Sequence, residues 1–112
     1  MMHLELTGTR TRPTRVLPFP WPRGAGIRPR DGLVRALGNR PVGLGSVTWA
    51  GKHGSLALAP PFPTGGSQGN HLIFRWREAG ATYFLGLHAW EPFLETVSTL
   101  RRIVGSIDAP YA

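Results

Sequence analysis

The 112-residue chain has no cysteine. That excludes a disulfide framework, a thiolate metal site and a cysteine nucleophile. No apolar run approaches the roughly 20 residues that cross a bilayer as a helix. The opening Met1-Met2-His3-Leu4-Glu5-Leu6-Thr7 carries neither a basic start nor an apolar block, and so does not read as a signal peptide. On that reading the protein is cytoplasmic if the chain is complete, and exported if the chain is the C-terminal part of a longer precursor. Lysine is almost missing: Lys52 stands alone beside twelve arginines. Acidic residues number only 6, and the net charge is +7.

What remains is globular in composition, 41% apolar and 17% charged, and its length fits one domain over residues 1–112. The charge is uneven. Residues 1–41 hold eight arginines against Glu5 and Asp31, a net of +6, whereas residues 42–112 come to +1 from five basic and four acidic residues. The 15 glycines, 11 prolines and many arginines all have GC-rich codons, so the bias reflects genome composition as readily as selection by a partner.

Residues 2–7 alternate apolar and polar, the period of a short strand. From about 8 to 31 the pattern breaks into an Arg/Pro-rich segment containing Val16-Leu17-Pro18-Phe19-Pro20-Trp21-Pro22. Each proline lacks a donor and pushes its predecessor toward extended geometry, so this segment is extended or polyproline-like. Residues 32–38 fit two turns of helix or a short strand, and the pattern does not choose. Residues 46–58 read as a hairpin turning at Gly51-Lys52-His53-Gly54, with Ala50 opposite Ser55, Trp49 opposite Leu56 and Val47 opposite Leu58. Val47, Trp49, Leu56 and Leu58 then share one face, and Ser46, Thr48, Ala50, Ser55 and Ala57 the other. Residues 59–70 are a Pro/Gly-rich loop.

A second hairpin turns at Ala79-Gly80. Two-residue and four-residue loops give the same register, so the pairing does not depend on turn type. One face holds Leu72 opposite Leu87, Phe74 opposite Leu85 and Trp76 opposite Tyr83. The other holds His71 opposite His88, Ile73 opposite Gly86, Arg75 opposite Phe84 and Arg77 opposite Thr82. A one-residue slip would mix the two sets, so burial fixes this register. An amphipathic helix follows. Pro92 suits its first position and Gly105 its C-cap, and Phe93, Val97, Leu100, Val104 and Ile107 form one stripe. Glu91 and Glu95 near its start, and Arg101 and Arg102 near its end, complement the macrodipole. The predicted fold is α+β: a small antiparallel sheet of about four or five strands, with the C-terminal helix packed on one face.

Trp76-Arg77-x-x-Gly80-x-x-Tyr83, an aliphatic strand, and a helix ending Ile103-Val104-Gly105-Ser106-Ile107 resemble the C-terminal end of bacterial exported lipoprotein and anti-sigma-factor regulator domains. The resemblance spans residues 76–107, about a third of the chain. It implies a β-rich domain closed by a hairpin and a helix, and assigns no residue a role.

Gly65-Gly66-Ser67-Gln68-Gly69 matches the nucleophile-elbow pattern, but prolines precede it and a strand follows, so it lacks the strand–turn–helix context that chemistry requires. No catalytic residue and no cofactor signature emerges. His71 and His88, directly opposed, would place their Cβ atoms about 4.5–5.5 Å apart, near enough to share a metal, with His53 or Glu91 as further ligands that nothing positions. The face of His71, Arg75, Arg77, Phe84 and His88 is not required by the core and is a candidate binding surface, or simply a solvated face with Arg75 lying over Phe84. Arg10, Arg12, Arg15, Arg23, Arg28 and Arg30 suit an anionic surface or nucleic acid. Their segment otherwise docks its Pro-x-Pro run on a partner protein, or wraps its own domain with Phe19 and Trp21 packed into the sheet. The leading expectation is a small non-catalytic binding or interaction module. Anionic-surface or nucleic-acid binding and a His-based metal site or small enzyme are the alternatives. The sequence sets neither ligand nor oligomeric state.

Overall fold

A computed structural model describes residues 4–9, 21–22, 26–37, 41–59 and 71–107. In chain order the elements are β1 (Leu4–Thr9), α1 (Leu33–Leu37), β2 (Val42–Trp49), β3 (Lys52–Ala59), β4 (His71–Glu78), β5 (Ala81–His88) and α2 (Phe93–Ser106). The strands form one antiparallel sheet of 5 in the order β1-β5-β4-β3-β2. The fold is α+β, as expected, with α2 packed across one face. The ambiguous stretch at 32–38 contains the short helix α1.

The β4–β5 pairing follows the sequence expectation residue for residue, from His71 opposite His88 to Glu78 opposite Ala81. Burial is the reason. Leu72, Phe74, Trp76, Leu85 and Leu87 all point into one core with Phe93, Leu100 and Val104 of α2. Leu33 of α1 and Leu44, Trp49, Leu56 and Leu58 of β2 and β3 complete it. Four aromatic rings run in a row over this face. Trp49 stacks on Phe74 at 5.0 Å, Phe74 on Trp76 at 5.3 Å and Trp76 on Tyr83 at 5.3 Å.

The β2–β3 register differs from expectation by four residues. Trp49 pairs with Lys52, Thr48 with His53, Val47 with Gly54 and Ser46 with Ser55. The turn is Ala50-Gly51, with φ of 51° and 77°, a two-residue type I′ loop that matches the twist of its strands. Gly54 is therefore a strand residue. The ring of Phe74 crosses directly above it, and a Cβ there would lie 2.5 Å from a Phe74 ring carbon and 2.3 Å from the Arg75 carbonyl oxygen. A glycine mid-strand marks such close approach. Because the offset is even, the faces assigned to Val47, Trp49, Leu56 and Leu58 survive. A bulge between Gly43 and Gly45 shifts the phase of β2 by one residue. That shift lets Val42 and Leu44 join the same core as Val47 and Trp49.

The helix also departs in detail. Pro92 is the N-cap, after a cis Glu91–Pro92 peptide, and offers no side-chain cap. Gly105 lies inside α2, and Ile107 is the C-cap, its N–H bonded to the Val104 carbonyl. Thr96, absent from the expected stripe, is fully buried. Its hydroxyl accepts from the Trp90 N–H at 3.0 Å and donates to the Trp90 carbonyl at 2.9 Å, which ties the β5–α2 connection to the first turn.

The opposite face of the sheet, read from the sequence as a binding surface or a solvated face, is in part buried. Ile73, Phe84 and Ala59 are buried there and Trp21 packs against them. Trp21 lies in the Arg/Pro-rich segment, so that part of the segment wraps its own sheet. Further along, Ile27 donates its N–H to the Gly43 carbonyl at 3.1 Å, on the outer edge of β2. Phe19 and the 60–70 loop lie outside the described residues.

Candidate functional site

Strand alternation sends Arg75 and Arg77 of β4 to the face away from α2. Beside them the register brings Ser55 of β3 opposite Arg75, and Ser46 of β2 opposite Ser55. Thr82 of β5 faces Arg77. Together with Thr48 and His53 these side chains line a groove of about 710 Å³. None of the lining residues is acidic.

Arg75 is the electrostatic centre. Its guanidinium carbon sits 4.3 Å from the centroid of the Trp21 ring. Trp21 in turn tilts at 55° onto Phe84, with centroids 6.2 Å apart. Burial pushes the Arg75 pKa below its ordinary value, yet a guanidinium remains cationic at neutral pH. Among the described residues it faces an aromatic ring and no carboxylate. A desolvated cation with only a π-face for company has lost hydration that the ring replaces in part. Its N–H groups suit the oxygens of an anion, with which charge-assisted hydrogen bonds are short and strong.

The other polar groups are anchored more loosely. Arg77 is exposed and donates from its Nη1 to the Thr82 hydroxyl at 3.3 Å. The Thr48 hydroxyl and His53 Nδ1 are 2.8 Å apart, a hydrogen bond between two lining residues of the groove.

The residues singled out from the sequence separate here. Arg75 and Arg77 line the groove. Phe84 is buried and supports Trp21. His71 is buried and meets half-buried His88 edge-on, ring centroids 4.4 Å apart. That pair forms no metal cluster with a third ligand among the described residues. Glu91 is spent on helix N-termini, and His53 sits in the groove. Arg28 and Arg30 are exposed. Arg10, Arg12, Arg15, Arg23 and the Gly65–Gly69 motif lie outside the described residues.

Sequence reading placed Thr82 beside Arg77 but missed that His53, Ser46, Thr48 and Ser55 belong to the same site. Their alternation on β2 and β3 was visible, but uniting them with Arg75 needs the β3–β4 pairing, which spans a connection without hairpin signal. No family model, curated protein or solved structure matches the chain.

Proposed function

We propose that the protein is a non-catalytic binding module that holds an anionic ligand in the groove around Arg75. The observation that carries this reading is the half-buried Arg75 guanidinium, stacked on Trp21 and facing no carboxylate among the described residues. A structural arginine taken out of water is ordinarily matched by an acid. This one opens instead onto hydroxyls, an imidazole and a second arginine. Guanidinium geometry suits bidentate contact with phosphate or carboxylate oxygens.

Pyrophosphate titrated into the ¹⁵N-labelled full chain at low salt tests the reading. Expected are saturable shifts in amides of residues 46–48, 53–55, 75–77 and 82, weakening as salt rises. Shifts confined to other regions, or none, overturn it.

A second reading places nucleic acid along the arginines of residues 10–30, on the strength of the +6 charge of residues 1–41 set by eight arginines against two acids. Salt-dependent retardation of a DNA or RNA oligomer that persists in an Arg75→Gln, Arg77→Gln variant supports this reading over the groove.

A further inference from the structure

We infer that the ligand of the Arg75 groove is a sugar phosphate, a compact polyol carrying a phosphate ester. The inference rests on the anion-binding reading above and adds the chemistry of the rest of the ligand. Three features support it. The groove volume of about 710 Å³ is that of a site for a small molecule. Its polar lining away from the arginines is four hydroxyls and the His53 imidazole, which is paired with Thr48. Ser46 and Ser55 stand directly opposite one another on adjacent strands; Thr48, opposite His53, and Thr82, opposite Arg77, lie in the next row toward the turns. A hydroxyl both donates and accepts, as do the hydroxyls of a polyol.

The third feature concerns the aromatic rings. Stacking a nucleobase requires a free ring face. Trp76 borders the groove, but strand alternation turns its ring to the α2 face, where it stacks on Phe74 and on Tyr83. Trp21 carries Arg75 on its face and leans on Phe84. The described aromatic rings at the groove are thus already engaged by the protein. In this arrangement Arg75 and Arg77 hold the phosphate, and the serine pair and Thr48 meet the sugar hydroxyls.

Isothermal titration calorimetry on the full chain tests this with glucose 6-phosphate, ribose 5-phosphate, inorganic phosphate, glucose and adenosine monophosphate. Expected is at least tenfold tighter binding of one sugar phosphate than of inorganic phosphate or glucose, and no gain for the adenine nucleotide over ribose 5-phosphate. A Ser46→Ala, Ser55→Ala variant with an unchanged thermal midpoint should lose most of the preference for the sugar phosphate while binding inorganic phosphate as before. Equal affinity for inorganic phosphate and both sugar phosphates overturns the inference but leaves the anion site standing. So does a tenfold advantage for the nucleotide. No binding of any phosphate overturns both.

Discussion

Asp31 and Glu91 exchange helix caps. Asp31, just before α1, accepts from the Leu94 N–H in the first turn of α2 at 2.8 Å. Glu91, just before α2, accepts from the Gly32 and Val34 N–H groups at the start of α1 at 2.9 and 3.2 Å, and from Phe93 at 2.9 Å. Helix N-termini leave donors without intrahelical partners. Here each helix is capped by the residue that introduces the other. The exchange fixes α1 against α2 and so seats Leu33 in the core.

The two caps should therefore be coupled. Asp31→Ala and Glu91→Gln are each expected to cost about 1 kcal/mol, the usual worth of an N-cap. The double variant should cost less than their sum, because losing either cap loosens the α1–α2 junction on which the other depends. Urea unfolding of the four proteins in a double-mutant cycle measures the coupling.

Glu91 also gives the fold a dependence on pH. Its carboxyl is held below its ordinary value, chiefly by the Gly32 N–H, against an opposing desolvation effect and with help from Phe93, Arg35 and Val34. A carboxylate with a depressed folded pKa adds stability that is complete above its unfolded pKa and disappears as pH falls through the folded one. The urea midpoint should fall between pH 6 and pH 3 more steeply for the wild type than for Glu91→Gln. Parallel curves would show that this carboxylate does not contribute.

Gly54→Ala is expected to destabilise the protein by about 1–3 kcal/mol, the range for overpacking. The new methyl meets the Phe74 ring and the Arg75 backbone, and neither retreats without disturbing the aromatic row or the β3–β4 ladder. Thermal unfolding measures the loss. Pairing Gly54→Ala with Phe74→Leu should recover part of it, since the ring is one of the two obstacles.

Both two-residue turns place alanine where φ is positive, Ala50 at 51° and Ala79 at 53°. Asparagine tolerates this conformation better and is favoured at that turn position. Ala50→Asn and Ala79→Asn are expected to raise stability by several tenths to about 1 kcal/mol each, additively, given the cost of the left-handed conformation for residues other than glycine and asparagine. Denaturant midpoints test both.

These turns show where the sequence was legible. The β4–β5 hairpin could be placed because every candidate loop gave one register and one apolar face. The β2–β3 hairpin could not. Its turn, Ala50-Gly51, has the same composition as Ala79-Gly80, but Gly54 nearby imitates a turn residue. Gly54 is there because a ring from β4 passes over it, a fact visible only once β4 is in place. The bulge at Leu44 and the caps from Asp31 and Glu91 likewise depend on contacts between distant segments. The site follows the same pattern. Arg75 and Arg77 stood out as charges on a strand with Thr82 beside them, whereas Ser46, Thr48 and Ser55 had nothing in the chain to tie them to β4. Trp21 packed into the sheet was one reading of its segment, and its place over Arg75 and Phe84 follows from the fold.

The most direct test of the anion site is the pyrophosphate affinity of Arg75→Gln and Arg77→Gln, set beside that of Arg101→Gln, an exposed arginine on α2. Loss of a hydrogen bond from a charged group costs about 1.5–3 kcal/mol, or roughly tenfold and more in affinity. Expected are at least a tenfold loss for Arg75→Gln, a smaller loss for exposed Arg77→Gln, and a change within about twofold for Arg101→Gln. Equal losses at all three positions would mean that pyrophosphate senses only net charge, and would contradict a built site at Arg75.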